Sequence, residues 1–218
     1  MTEQIAPARV TAFKKEHPEV AVCAYINTTA QLKAECDICV TSSSAVKIVG
    51  ALEQDRILFI PDKNLGAYVQ QQLPQKEILL WDGFCPVHNA VTPEDILEAK
   101  RAHPDALVAM HPECPPQTLA LADMAGSTSA IIQYALESDR DVIIATERGV
   151  SEYLNLHHPD RHFYQPCPNK LTCPDMKMTT LQELLAALEG KGGAVIELDE
   201  SLRLSAKKSI DRMLAYGG

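Results

Sequence analysis

The chain has 218 residues, of which 46% are hydrophobic and 22% charged, a composition typical of globular proteins and unlike disordered, collagen-like or coiled-coil chains. Its 29 acidic residues outnumber its 20 basic ones and give a formal net charge of −9, which argues against nucleic acid or an anionic membrane surface as partner. Because the sequence has no apolar run of membrane-spanning length and no secretory signal at its start, we expect a cytoplasmic protein with reduced cysteines.

Short, continuously apolar runs alternate with helical patterns along the chain, as in parallel sheets whose strands are buried on both faces. The runs predicted as strands are residues 20–25, 38–41, 57–60, 78–81, 106–110, 142–146 and 162–164. Alternating strands and helices predict a doubly wound α/β architecture, in two units at roughly residues 15–90 and 91–180 that are followed by a helical tail.

The predicted helices have recognisable ends. One helix begins at Asn64, and another begins at Thr92 with a proline in its first position. A third begins at the capping box of Thr180 and Glu183 and ends near Gly190. The side chains predicted to face inward are Leu65, Tyr68 and Val69, then Leu181, Leu184, Leu185 and Leu188, and in a last helix Ala206, Ile210, Met213 and Leu214.

Polar residues gather just after the predicted strands, where open α/β sheets bind their ligands. They are Tyr25 and Asn27, Thr41 to Ser44, Cys85 and His88, His111 to Cys114, Gly126 to Ser129, and Thr146 and Glu147. The turns at Ser42 and at Ser127–Thr128 can bind a phosphate or carboxylate, or can simply cap helices. His111 and Glu113 can form a general acid/base pair, the alternative being a polar loop.

Four of the seven cysteines precede a proline, as cysteines in iron–sulfur loops do, although Cys-Pro also occurs in ordinary turns. These four are Cys85, Cys114, Cys167 and Cys173. Cys36 and Cys39 have C-x-x-C spacing but enter a buried strand, which favours packing over metal or redox chemistry. From the residues alone, a zinc half-site at Cys85 and His88 stays open, as does a cysteine or zinc hydrolase that pairs Cys85 or Cys114 with His88 or His111.

Several longer segments resemble the quinolinate synthase family in order and spacing. They are YINTTA at 25–30, VTSS at 40–43, PDKNLG at 61–66, WDGFCPVH at 81–88, HPEC at 111–114, GST at 126–128, ATE at 145–147 and CPDMK at 173–177. The resemblance implies a transferase of NAD biosynthesis that condenses iminoaspartate with dihydroxyacetone phosphate to quinolinate. It also implies a [4Fe–4S] cluster held by three cysteines, whose fourth iron is open and acts as a Lewis acid.

The resemblance assigns roles to particular residues of this chain. Cys85 and Cys173 match two of the three cluster ligands, whereas Cys36, Cys39 and Cys114 match none. The implied catalytic residues are Glu113, His111 and His88. The implied substrate-binding residues are Tyr25, Asn27, Ser42, His111, Glu113, Ser127 and Thr128.

The resemblance further implies a pseudo-threefold fold of three α/β domains, of which this sequence matches two. Residues 1–90 match the second domain, residues 91–180 the third, and residues 181–218 form a C-terminal helical tail. Because the first domain and its cluster cysteine have no counterpart, we expect the chain alone to be inactive or nearly so. We expect Met1 to be an internal methionine of a longer gene, or the reading frame to be broken upstream.

The expected partners are the two small-molecule substrates, a separately encoded first domain, and L-aspartate oxidase as supplier of the imine. No nucleic acid or membrane partner is expected. Two alternatives to an active enzyme stay open, namely an inactive remnant and an anion-binding module without a cluster.

Overall fold

The computed structural model describes residues 4–217, so Met1 to Glu3, on which the expectation about the start of the gene depends, lie outside the described residues. Within this range the chain forms eleven α-helices and eight strands. The helices are α1 (Pro7–Glu16), α2 (Ala30–Glu35), α3 (Ala45–Ala51), α4 (Lys63–Gln72), α5 (Pro86–Asn89), α6 (Pro93–Ala102), α7 (Pro116–Leu119), α8 (Thr128–Glu137), α9 (Gly149–His157), α10 (Leu181–Leu188) and α11 (Glu200–Gly217). The strands are β1 (Ala21–Tyr25), β2 (Ile38–Val40), β3 (Arg56–Ile60), β4 (Glu77–Leu80), β5 (Leu107–Met110), β6 (Met124–Ala125), β7 (Val142–Ala145) and β8 (Phe163–Tyr164).

The described strands build two parallel, four-stranded sheets with matching strand orders, β2-β1-β3-β4 in the first sheet and β6-β5-β7-β8 in the second. In each sheet two central strands carry apolar side chains on both faces. Cys23 and Phe59 enter one core of the first sheet, and Val22 and Leu58 enter the core on its other face. This confirms the prediction of an α/β fold with short parallel sheets buried on both faces.

The second sheet has the same two-sided packing. Met110 and Ile143 enter one core, whereas Ala109 and Ile144 enter the other. Burying one such large side chain contributes about 1.5–3 kcal/mol, so the paired cores account for much of the stability of each sheet. The division of the chain at residues 90 and 180 is not tested by these observations and stays a prediction.

Three sequence-based expectations about elements are corrected by the structure. Strand β6 was not predicted, because two residues are too short for an apolar run. Helix α4 is capped by Asp62, whose side chain accepts from the Leu65 N–H, and not headed by Asn64. The predicted stripe of α10 is not buried: Leu181, Leu184, Leu185 and Leu188 are all exposed, as is Leu214 on α11.

Helix α11 returns to the first sheet and does not extend the second unit. Ile210 and Met213 pack into the first unit, and Ser209 Oγ donates to the Lys33 carbonyl oxygen at 3.0 Å. The tail therefore completes the unit that comes earlier in the chain. Among the described helices, none is both long and apolar enough to cross a membrane.

Candidate functional site

The carboxyl ends of the two sheets face a single cleft of about 610 Å³. Asn27 follows β1, Cys85 follows β4, Glu113 follows β5, Glu147 follows β7 and Cys173 follows β8, and all five line this cleft. Loops after parallel strands meet at one edge of a sheet, and loops after neighbouring strands that run to opposite sides leave a crevice there. The site is therefore a consequence of strand order in both sheets.

Cys85, His88 and Glu113 form the chemical centre of the cleft. Pro86 occupies the first position of α5, so Cys85 caps the helix and lies on the same face as His88, three residues on. His88 Nδ1 lies 3.3 Å from Cys85 Sγ and 2.9 Å from Glu113 Oε2. One ligand atom from each of the three residues lies within 4.8 Å of the others, so the group can hold a metal ion.

His111 extends this centre behind Glu113. The turn after β5 is closed by a hydrogen bond from the Cys114 N–H to the His111 carbonyl oxygen, 3.0 Å long. This turn brings the side chains of His111 and Glu113 together. His111 Nδ1 lies 3.2 Å from Glu113 Oε2, and the His111 ring stacks on that of His88 at 4.7 Å between centroids. All three side chains are buried, so their charges are poorly screened by water.

The pKa values of Glu113 and His111 are lowered and that of His88 is raised, in each case by burial and by hydrogen bonds that act in opposite directions. Burial alone would raise the pKa of Glu113, but hydrogen bonds from His111 and His88 lower it to about 2. Burial alone would lower the pKa of His88, but its contacts with Cys85 and Glu113 raise it to about 10. Burial lowers the pKa of His111 more than its hydrogen bond to Glu113 raises it. At neutral pH the centre contains an anionic Glu113, a cationic His88 and a neutral His111.

Glu113 Oε1 is a buried oxygen without a hydrogen-bond partner among the described residues. Leaving a buried carboxylate oxygen unpaired is costly, so such an atom is expected to serve a ligand. A sulfur, a nitrogen and an oxygen donor on one side of an open cleft form a donor set suited to a metal with a free coordination position. The three residues could therefore hold a metal ion once His88 gives up its proton.

The geometry does not favour the hydrolase that the residues alone left open. In a Cys–His–acid triad the histidine uses one ring nitrogen for the nucleophile and the other for the acid. Here Nδ1 of His88 contacts both Cys85 and Glu113, while Nε2 lies 3.0 Å from Thr146 Oγ1. Cys114 is fully buried, and burial raises the pKa of its thiol, which makes it a poor nucleophile.

The other predicted site residues lie at different distances from this centre. Tyr25 is buried, and burial together with the charge of Glu113 raises the pKa of its phenol, which also hydrogen-bonds to Ser42. Ser127 caps α8 by accepting from the Ala130 N–H, with Thr128 as the first residue of that helix. Ser42, Ser127 and Thr128 are not among the residues that line the cleft.

Three further residues support the centre and were not selected from the sequence as site residues. Asn64 Nδ2 donates to the Glu113 carbonyl oxygen at 2.9 Å and to Asn89 Oδ1 at 3.0 Å, joining α4 of the first unit to the second. Asp62 contacts the backbone of Cys85, and Thr146 contacts His88. Thr146 directly follows β7, the position for which the sequence analysis already named it, whereas Asp62 lies two residues beyond β3 and Asn64 lies in the first turn of α4. Asp62 and Asn64 reach the site through contacts between residues distant in sequence.

Comparison with known proteins identifies the family of the chain. A family model described as "Quinolinate synthetase A protein" matches residues 1–215. The chain is 43% identical over 218 residues to a quinolinate synthase of Caldicellulosiruptor bescii, covering all of this chain and 71% of that protein. It is 43% identical over 215 residues to a quinolinate synthase of Thermodesulfovibrio yellowstonii, covering 98% of this chain and 70% of that protein. A quinolinate synthase of Dehalococcoides mccartyi is 42% identical over 215 residues, with the same coverage.

Proposed function

The chain belongs to the quinolinate synthetase A family, a family of enzymes, and we propose that it takes part in the reaction of that family. The proposed reaction condenses iminoaspartate with dihydroxyacetone phosphate to quinolinate, with loss of phosphate and water, in NAD biosynthesis. The observation that carries the proposal is the single cleft in which Cys85 and Cys173, from different sheets, lie beside His88 and Glu113.

Cys85 and Cys173 are the proposed ligands of a [4Fe–4S] cluster. Thiolates are the usual ligands of such clusters, and these two thiols line one cleft and are free of disulfides. When bound, the cluster supplies an iron with an open position that acts as a Lewis acid. The family resemblance calls for three cysteines, of which these are the two that this sequence supplies.

Glu113 and His88 are the proposed proton-transfer residues. The carboxylate of Glu113 lies in the cleft with its Oε1 unpaired, and His88 contacts the other oxygen. With its pKa lowered to about 2, Glu113 is a weak base by itself, so the two residues are proposed to act as a pair: the His88 imidazolium donates a proton or stabilises developing negative charge, and Glu113 can accept a proton once that positive charge is neutralised. The buried His111 fixes the orientation of Glu113.

Substrate binding is assigned to the loops around this centre. Asn27 is exposed in the cleft, and the neutral hydroxyl of Tyr25 lies behind it beside Ser42. Ser127 and Thr128 begin a ten-residue helix, where backbone N–H groups favour an anionic group such as phosphate. We assign the carboxylates and the phosphate of the substrates to these loops.

Three further parts of the proposal concern the surroundings of the enzyme. Iminoaspartate is lost to hydrolysis in water, so we propose that an L-aspartate oxidase supplies it close to the site. A separately encoded first domain is the proposed partner for the cluster's third cysteine. Seven free cysteines suit a reducing compartment, and we propose the cytoplasm.

The test of the cluster is anaerobic reconstitution of the purified chain with iron and sulfide. We expect iron and sulfide to bind, with a broad visible absorbance that is lost in Cys85→Ala and in Cys173→Ala. Cys36→Ala is the matched control, because this cysteine packs with Val22 and Leu58 in a core of the first sheet and does not line the cleft. Iron binding that neither cleft variant reduces would overturn the proposal.

The test of the reaction is quinolinate formation by the reconstituted chain, with iminoaspartate generated in the assay. Turnover that Glu113→Gln abolishes supports the proposed function. Because the chain alone is expected to be nearly inactive, the assay is repeated with the first domain of a relative added. An iron-loaded chain that forms no quinolinate with that domain either would refute catalysis by this chain and favour the inactive remnant. Anion binding without iron would favour the binding module.

A further inference from the structure

Each of the two sheets has an acidic residue after its third strand and a cysteine after its fourth, counted in spatial order. In the first sheet a carboxylate, Asp62, follows the third strand in space, β3, and Cys85 follows the fourth, β4. In the second sheet Glu147 follows β7, and Cys173 follows β8. Since the strand orders match, each carboxylate lies beside the loop that carries a cleft cysteine.

Each carboxylate accepts hydrogen bonds from a helix and from a cysteine, and Glu147 also forms an ion pair with Lys177, whose Nζ lies 3.2 Å from Oε1. Asp62 Oδ1 accepts from the Leu65 N–H in the first turn of α4, and Oδ2 accepts from the Cys85 N–H, both at 2.8 Å. Glu147 Oε2 accepts from the N–H of Gly149, the first residue of α9, at 2.8 Å. Its Oε1 accepts from the Cys173 N–H at 3.3 Å.

Burial makes these hydrogen bonds consequential. Asp62 is 0% exposed and Glu147, in the wall of the cleft, is 5% exposed, so little water competes with their protein partners. Hydrogen bonds from backbone N–H groups to a carboxylate are about twice as strong as those between neutral groups, and stronger still where water is excluded. The backbone at each cysteine is therefore held to the end of the neighbouring strand.

A glycine keeps the paired loops close in the first unit. A Cβ atom at Gly83 would lie 2.3 Å from the Pro61 carbonyl oxygen, so only glycine lets the Cys85 loop pass the Asp62 loop. In the second unit, a Cβ atom at Gly149 would lie 2.9 Å from Glu147 Oε2, so a larger residue there would displace the carboxylate itself.

We propose that Asp62 and Glu147 are matched positioning residues, each of which holds one cleft cysteine in place by accepting its backbone N–H. Asp62 lies outside the lining of the cleft, whereas Glu147 is part of its wall, and the role proposed for both is to act through the neighbouring cysteine. The importance of this positioning for catalysis rests on the proposed function, in which Cys85 and Cys173 are ligands of the cluster. The positioning itself is a property of the chain without metal and can be tested separately.

The test is alkylation of the metal-free chain by iodoacetamide under native conditions, with the rate at each cysteine read by peptide mass spectrometry. Asp62→Asn and Glu147→Gln keep the side-chain shape but replace one acceptor oxygen by a donor. We expect Asp62→Asn to raise the rate at Cys85 about three- to tenfold and to leave Cys173 unchanged. Glu147→Gln should raise the alkylation rate at Cys173 and leave that at Cys85 unchanged.

Two internal references separate positioning from general destabilisation. Cys23 in the first unit and Cys114 in the second are fully buried, so their alkylation rates report unfolding of each unit. Parallel increases at Cys23 or Cys114 would show that the variant only loosens the fold, and would overturn the proposal. Unchanged rates at Cys85 and Cys173 in both variants would overturn it as well.

Charge is controlled by three further variants. Glu147→Asp keeps the negative charge but shortens the reach to the Cys173 N–H, so it should behave like Glu147→Gln. Asp82→Asn and Glu152→Gln remove exposed carboxylates that pair with Lys63 and Arg148, and they should leave every rate unchanged. If Glu147→Asp matches the wild type, charge alone accounts for the effect and positioning is refuted. Because no metal is present, failure here leaves the iron-binding result for Cys85→Ala and Cys173→Ala unaffected.

Discussion

The two sheet units have the same strand order and the same carboxylate–cysteine arrangement, but the two carboxylates differ in charge environment. Burial and the nearby charge of Glu113 raise the pKa of Asp62 to about 6, despite hydrogen bonds from Leu65 and Cys85. Burial alone would raise the pKa of Glu147 too. The hydrogen bond from the Gly149 N–H and the ion pair with Lys177 outweigh burial, so the pKa of Glu147 lies below its ordinary value. Topology therefore sets the geometry of these positions, whereas neighbouring side chains set their electrostatics.

The units differ also in how the rest of the chain covers them. Helix α11 packs on the first unit, whereas α10, which follows the second, buries none of its residues against the described chain. Two units that differ in this way can unfold together or separately, and the contacts between them decide which occurs.

The largest effect is expected from truncating the centre of either sheet. Phe59→Ala and Ile144→Ala each remove a fully buried side chain and should lower the free energy of unfolding by about 2–5 kcal/mol. Urea unfolding is followed by far-ultraviolet circular dichroism and by the fluorescence of Trp81, the only tryptophan, which lies in the first unit. We expect the two probes to coincide in both variants. A Trp81 transition unmoved by Ile144→Ala would show that the units unfold independently.

Asn64→Ala should weaken the link between the units. It leaves the Glu113 carbonyl oxygen and Asn89 Oδ1 without a donor that both have in the native chain, at a cost of about 1–3 kcal/mol. We expect the fluorescence and dichroism transitions to separate in the same urea experiment. Gln133→Ala, which removes an exposed hydrogen bond to Glu137, is the control and should change neither. Coincident transitions with unchanged midpoints in Asn64→Ala would contradict a role in coupling.

Ser209→Ala should lower the free energy of unfolding of the first unit by weakening the packing of α11 on it. Its hydroxyl donates to the Lys33 carbonyl oxygen in a fully buried position, so losing it should cost about 1 kcal/mol. The measurement is again urea unfolding observed through Trp81. A loss as large as that of Phe59→Ala would mean that α11 is essential to the first sheet and not only a cover for it.

The ion pair of Asp95 and Lys170 should make the second unit sensitive to acid. Burial alone would raise the pKa of Asp95, but hydrogen bonds from Lys170 and Thr92 lower it below its ordinary value. Stability from a lowered pKa is fully present above the unfolded value of about 4 and is lost as pH falls through the folded value. Lys170→Ala should therefore cost about 0.5–1 kcal/mol near neutral pH.

The measurement compares unfolding free energies of the wild type and Lys170→Ala at about pH 6 and about pH 3. We expect the difference between the two proteins to shrink at the lower pH, since Asp95 is then largely protonated. Lys191→Ala is the control, because its partner Glu189 is exposed after α10. A difference that persists unchanged in acid would mean that Lys170 acts through packing.

The smallest effect is expected in α10. Leu184 is 49% exposed and no residue of the helix is buried, so Leu184→Ala should change the free energy of unfolding by less than about 0.5 kcal/mol. Thermal unfolding at two protein concentrations is the measurement. A loss above about 1 kcal/mol, or one that depends on concentration, would show that α10 is covered in solution.

Much of the fold was predictable because buried parallel strands leave continuous apolar runs. Seven of the eight described strands coincide with such runs, and β6 was missed because its two residues form none. Local signals also located α10 correctly, with its capping box and with Gly190 at a positive φ of 69°. Its burial was not predictable, because a capping box reports where a helix starts and not what it packs against.

The site was predictable in part, from residues that follow strands. Cys85, His88 and Glu113 were selected from the sequence, and the structure brings them together. Asp62 and Asn64 were not, because their contacts join positions 23 and 49 residues apart, which no local pattern encodes. The assigned roles of all these residues stay predictions until the iron-binding and turnover experiments are done.

The division of each carboxylate between a helix and a cysteine has a consequence for how this sequence can drift. A substitution at Asp62 removes a helix cap and a cysteine contact together, and one at Glu147 removes a hydrogen bond to the first residue of α9 together with a cysteine contact, so selection for a stable helix also preserves the position of the cysteine. A lineage that no longer needed the chemistry would thus keep these two acids long after its cysteines had been replaced. Descendants with intact acids and altered cysteines would record that history.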